Sequence, residues 1–172
     1  PLRYPADRLA KIQIAVGSYF WSAMYQQRPT PYGGGMLKRG WFKIVDDVPS
    51  DLVKCRWWDL AATIESDSDY TAGALVGIGA DGIWYILDMR RIRGTAGQVE
   101  NLIGMTAQLD SQEIMVRTEK ERGSAGILLA DHYARRVVSG FDFKAVLTTG
   151  SKIERARPLS SAAEAGNVCL LR

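Results

Sequence analysis

The chain has 172 residues, 47% hydrophobic and 24% charged, with a net charge of +3, which suits one soluble globular domain with a sizeable core. No apolar run approaches the length of a membrane span, and no signal-peptide pattern opens the chain. One histidine, His132, and two distant cysteines, Cys55 and Cys169, exclude a histidine-rich zinc site, a two-histidine phosphodiesterase, an HNH-type nuclease and a structural zinc; the thiols read as buried and reduced, as in a cytosolic protein.

Taken in order, the pattern predicts a helix over 7–27, capped by Asp7, with Leu9, Ile12, Val16, Phe20 and Ala23 at helical spacing. The run Arg28-Pro29-Thr30-Pro31-Tyr32-Gly33-Gly34-Gly35 rules out regular structure and reads as a linker or an ordered loop. Residues 36–52 are mixed, with Trp41, Phe42 and an Asp46-Asp47 turn. Strands are expected over 54–60, 71–79 and 83–90, the last two joined by an Ala80-Asp81-Gly82 hairpin turn. A helix over 95–109 follows, with Val99, Leu102, Ile103 and Thr106 on one face. Then come a strand over 113–118, a helix capped by Ser124 and reaching about 138, and a strand over 143–147. Residues 151–165 read as partly helical, interrupted by Pro158, and 168–171 as a last short strand.

The order is βββαβαβα with a further strand. Strands joined by hairpins pair antiparallel, and strands joined through helices pair parallel. An α/β fold is therefore expected, a mixed sheet with helices on both faces.

Chemistry concentrates in two segments. In Arg56-Trp57-Trp58-Asp59-Leu60, one carboxylate stands in an apolar run. In Met115-Val116-Arg117-Thr118-Glu119-Lys120-Glu121-Arg122-Gly123-Ser124, a β-prone run ends in acids and breaks at Gly-Ser. A charge in a buried strand is costly unless compensated, and a divalent metal shared by two carboxylates is the usual compensation. Asp59 is the leading candidate; its plain alternative is a strand-end carboxylate bonded to backbone amides. Glu119, at its strand end, is the second, and Glu121 competes with it or belongs to an exposed charged turn. Gly123-Ser124-Ala125-Gly126 opens a helix whose free amides can bind phosphate, or it is an ordinary capped helix packed tightly on the sheet. Glu65, Asp67 and Asp69 are either an outer metal ligand set or a solvated hairpin connection. From 117 to 172 there are ten Lys/Arg against six Asp/Glu, and elsewhere twelve against thirteen. That basic excess suits a polyanion, as does the i,i+3 pair Lys152 and Arg155; a solvated helix face is the alternative.

Several segments, taken together, resemble the C-terminal nuclease domain of the large subunit of tailed-bacteriophage terminases. They are Phe20-Trp21 through Tyr25-Gln26-Gln27-Arg28-Pro29 with Gly33-Gly34-Gly35; Trp58-Asp59-Leu60-Ala61 with Ser68-Asp69-Tyr70-Thr71; Glu119-Lys120-Glu121-Arg122-Gly123-Ser124-Ala125-Gly126; and Ser151-Lys152-Ile153-Glu154-Arg155-Ala156 with Ala165-Gly166-Asn167-Val168. Arg122 departs from the pattern, standing where the family often has proline.

The resemblance implies a ribonuclease H-like fold over 53–172, with 1–52 as the helix and linker leading from an ATPase motor that this chain lacks. It implies an endonuclease that cuts concatemeric double-stranded DNA with two divalent ions, Mg²⁺ or Mn²⁺. Asp59 matches the first metal-binding acid and Glu119 the second, with Glu121 as the alternate. A third acid is expected beyond Arg172, and the start at Pro1 fits a fragment of a longer protein. Implied partners are double-stranded DNA, the terminase ATPase domain, the small terminase subunit and the portal protein, with no membrane. The implied setting is the host cytoplasm, at the viral procapsid. Two rivals remain: a noncatalytic DNA-gripping or portal-docking module, and another ribonuclease H-like nuclease such as a resolvase or transposase.

Overall fold

The computed structural model describes residues 5–27, 35–61 and 69–172. The expected linker at 28–34 and the acids Glu65 and Asp67 lie outside the described residues. In chain order the elements are α1 (Ala6–Met24), β1 (Lys43–Val45), β2 (Val53–Asp59), β3 (Thr71–Ile78), β4 (Trp84–Ile92), α2 (Ala96–Asp110), β5 (Met115–Glu119), α3 (Ser124–His132), β6 (Phe143–Val146), α4 (Lys152–Glu164) and β7 (Val168–Leu171). They fall into two compact units. One comprises Pro1–Val48, Ala80–Tyr85 and Gly150–Arg172; the other comprises Pro49–Gly79 and Ile86–Thr149.

In the first unit β1 pairs in parallel with β7, from Lys43↔Cys169 to Val45↔Leu171, and α1 packs against α4. Strand β1 is absent from the sequence expectation: its Lys43 and Ile44 are exposed, so it carries no apolar signal. Asp7 does not cap α1. Pro5 takes that position with an extended backbone, and Asp7 stands in the first turn, where a carboxylate suits the helix dipole. Nor does Pro158 interrupt α4. Beyond the proline, Ser160 is buried and its hydroxyl donates to the Met36 carbonyl at 2.6 Å, so tertiary bonds hold the half that local propensity would release. The Ser151–Glu154 capping box fixes the helix start. Its hydrogen bonds, from the Ser151 amide first and hydroxyl second, hold the Glu154 carboxyl below its ordinary range.

Helix α1 breaks at Gly17, whose φ of 75° and ψ of 161° belong to a region reserved for glycine. Both broken ends are capped from α4. The Ser18 amide donates to the Glu164 carboxylate at 2.7 Å, and the Ser161 hydroxyl donates to the carbonyls of Ile14 and Ala15 at 3.0 and 3.1 Å. A Cβ at position 17 would also lie 3.1 Å from Glu164 Oε2. Gly17→Ala is therefore expected to destabilise the protein by about 1–3 kcal/mol, read as a lower thermal midpoint. An unchanged midpoint would refute the strain argument.

In the second unit the strand order is β4-β3-β2-β5-β6. Strand β2 pairs antiparallel with β3 and parallel with β5, and β5 pairs parallel with β6, as the connections require. Trp58, Val116, Ile103, Ala107, Tyr133 and Val138 form the core, so one sheet face is covered by α2 and by the segment after α3. Trp58 lies across from Gly73, where a Cβ would stand 2.5 Å from the indole Cε3; only glycine admits the ring. Thr95 and Gln98 form the capping box of α2. Ser124 is not a cap: Gly123 occupies that place with φ 94°, and α3 starts at Ser124. The helix continues to Val137, but its last turn is a π-helix, with Val138 N–H bonded to Tyr133 O at 2.9 Å. That bulge seats both Tyr133 and Val138 in the core. Burial pushes the Tyr133 hydroxyl up to about 12.

Candidate metal centre

Strand alternation and register build the site. In parallel neighbours, residues in register point to the same face. Trp58 is in register with Thr118, both buried, and the Thr118 hydroxyl donates to the Trp58 carbonyl at 3.1 Å. The next residues, Asp59 and Glu119, stand side by side at the carboxyl ends of β2 and β5, on the opposite face. Adjacent strands lie about 4.8 Å apart, so the two carboxylates reach a common space. This is the adjacency expected from the strand order.

Asp59 is exposed and Glu119 half-buried. The Thr148 hydroxyl, past the end of β6, donates to the Glu119 carboxylate, and the Lys120 amide donates to Val146 O at 2.8 Å, extending the ladder past the acid. The Ala61 amide donates to Thr71 Oγ1 at 3.0 Å, pinning the chain just beyond Asp59. Glu121 is exposed, in the bend before α3. Its carbonyl lies where a Cβ on Gly126 would come within 2.1 Å, so the small residues at the start of α3 serve a close backbone approach. Among the described residues no group of three or more His, Cys, Asp and Glu gathers as a metal cluster. His132 pairs with Glu100 at 3.1 Å, an exposed contact. Both cysteines are free, Cys169 buried but Cys55 only half-buried; burial pushes the Cys55 thiol up.

Residues 56–172 match the family model described as the terminase RNaseH-like domain. The chain belongs to this family. The large terminase of a thermophilic bacteriophage, solved with its other domain present, is similar over 99% of this chain and 42% of its own, at 13% identity and a TM-score of 0.59. The large terminase nuclease of the thermophilic phage G20c with bound magnesium is similar over 82% of this chain and 76% of its own, at 15% identity and a TM-score of 0.55. The same G20c nuclease with bound zinc gives 74% and 68%, 17% identity and a TM-score of 0.51. At these identities the likeness is one of fold, and that fold is ribonuclease H-like. The chain spans less than half the length of the first of these large terminases. Curated proteins gave no match.

In this terminase domain the donor set suits a hard cation. Two neighbouring carboxylates are what Mg²⁺ takes from a protein when substrate oxygens and water complete its shell. Lys152 and Arg155 belong to the first turn of α4, Lys152 exposed and Arg155 half-buried. Sequence reasoning missed two groups. Thr148 is 29 residues from the acid it bonds, and nothing in its neighbourhood signals that reach. Arg56, 1% exposed, bonds Asp110 at 2.7 and 2.8 Å, Asp88 at 2.8 Å and the Gly73 carbonyl at 3.2 Å. It stands two residues before the buried Trp58, on the same face, and that spacing was its signal.

Proposed function

We propose that this chain is the metal-dependent endonuclease domain of a viral DNA-packaging terminase, cutting concatemeric double-stranded DNA by two-metal phosphodiester hydrolysis. The observation that carries the reading is the pairing of Asp59 and Glu119 at the ends of neighbouring parallel strands in a terminase RNaseH-like domain. Asp59 and Glu119 would hold Mg²⁺ or Mn²⁺, which when bound supplies a water of lowered pKa and offsets charge at the leaving oxygen. Asp59 is exposed, so a phosphodiester can approach from its side. The Thr148 hydroxyl fixes the Glu119 carboxylate, so its remaining lone pairs keep one direction. Lys152 and Arg155 would neutralise DNA phosphates. In chain order, 1–52 would lead from the ATPase motor and 53–172 would form the nuclease, a functional division distinct from the two compact units. The ATPase domain, small subunit and portal protein are the proposed partners, in the host cytoplasm at the procapsid.

The test is cleavage of supercoiled plasmid by the full-length polypeptide in Mg²⁺ or Mn²⁺. Glu119→Gln is expected to lower the rate by at least about 10–100-fold, and Glu121→Gln to stay within a few-fold of wild type. The reverse result would transfer the ligand role to Glu121. No cleavage by the wild type in either metal would leave the noncatalytic DNA-gripping reading.

A further inference from the structure

We propose that Tyr70, Arg91 and Arg93 form a clamp for the DNA phosphate backbone beside the carboxylate pair; this rests on the reading that the Asp59 face engages DNA. Three observations place them there. First, Asp59 is in register with Ala72 across the antiparallel pair, so both share a face, and alternation carried one residue past β3 puts Tyr70 there too. Second, the guanidinium carbons of Arg91 and Arg93 stand over the Tyr70 ring, 4.9 and 4.2 Å from its centre. Third, Asp88 of β4 reaches the buried Arg56, so Asp88 belongs to the Trp58 face and the odd-numbered Arg91 and Arg93 to the other. All three side chains are exposed.

Two like charges on one ring repel each other, and the negative face of the ring offsets that cost. A guanidinium stacked flat on an aromatic ring turns its N–H edge outward, pre-oriented for two bonds to phosphate oxygens. Ordering these long side chains before contact removes part of the entropy that binding would otherwise cost. The ligand must be anionic, and it must tolerate the two acids next door. A polymer of regularly spaced phosphates meets both conditions: one phosphate lies at the Asp59–Glu119 pair and its neighbours along the strand lie on the clamp. Tyr70 acts here as a positioning residue, through the arginines.

The experiment is anisotropy titration of a labelled DNA duplex in EDTA, so that neither cleavage nor metal bridging contributes. The full polypeptide with Arg91→Ala and Arg93→Ala is expected to bind about tenfold more weakly, with a log K against log salt slope shallower by roughly 1–2. Tyr70→Ala should weaken binding by about threefold while leaving the slope intact, because both charges remain. Tyr70→Phe should restore wild-type affinity. The pair Arg91→Gln and Arg93→Gln substitutes if the alanine variant melts early. A double variant with wild-type affinity and slope overturns the clamp and leaves the nuclease reading standing. A wild type that binds through the clamp yet cuts nothing overturns the catalytic reading alone. A wild type with no affinity for duplex overturns both.

Discussion

Replacing Asp59 by Asn is expected to cut metal-dependent plasmid cleavage by more than about 100-fold while the fold stays intact. Asparagine keeps the size and one acceptor oxygen but removes the charge that a divalent ion requires. Removing a partner that only orients a ligand costs roughly 10–100-fold; removing a ligand itself should exceed that. The fold should not suffer, because Asp59 is exposed at the end of β2 and the strand's interior contacts are made by Arg56 and Trp58. Cleavage rates and calorimetric titration of Mn²⁺ into the full-length polypeptide check both halves. Wild-type cleavage by the Asn variant would remove Asp59 from the site. A collapsed melting temperature would make it a structural residue.

Arg56→Ala is expected to destabilise the protein by about 3–5 kcal/mol, a large share of a typical total of about 5–15 kcal/mol. The reason is desolvation. Asp110, only 10% exposed, would lose both bonds to its cation and keep its charge. The Gly73 carbonyl would lose a donor as well. Burial by itself would lower the Arg56 pKa, but the bonds to Asp110 and Asp88 outweigh it and raise it. For Asp88, burial alone would raise the carboxyl, yet the bonds from Arg56 and Arg90 hold it below its ordinary range. A depressed carboxylate contributes stability that is present above its unfolded pKa and is lost as pH falls through the folded one. Urea midpoints should therefore fall below about pH 4 more steeply in the wild type than in Asp88→Asn. Adding Asp110→Leu to Arg56→Met should recover part of the loss, since replacing the whole buried pair costs less than orphaning half of it. A single Arg56→Ala variant as stable as wild type would show that water already reaches the pair.

The sequence made the carboxylate pair legible because two simple rules decide it. Strand order makes the first core strand and the first strand after a helix neighbours, and alternation then puts Asp59 and Glu119 on one face. Long periodic elements were legible for the same reason. What escaped depends on contacts distant in the chain or on single backbone angles. Lys43-Ile44-Val45 is three residues long and pairs with a strand more than 120 residues later. Gly123 takes the cap from Ser124 through one positive φ. Pro158 stays inside a helix because Ser160 and Ser161 are bonded to segments near the N-terminus. Arg56 was read as the edge of an apolar run, although a cation two residues from a buried tryptophan on the same strand must be buried with it. Tyr70 and Arg93 meet only once β3 and β4 are side by side.

The pairing of Trp58 with Gly73 restricts how this lineage can change. With the indole in place, no side chain fits at 73, since even a methyl would overlap the ring. A smaller residue at 58 would free position 73 but first leave a void in the best-buried part of the core, and the Gly73 carbonyl would still be tied to Arg56. Each single step away from the pair is thus deleterious, whereas the double step, a smaller side chain at 58 with a larger one at 73, conserves volume. Across descendants of this fold the two positions should co-vary, with glycine at 73 wherever tryptophan stands at 58, and drift at one site should be gated by the other.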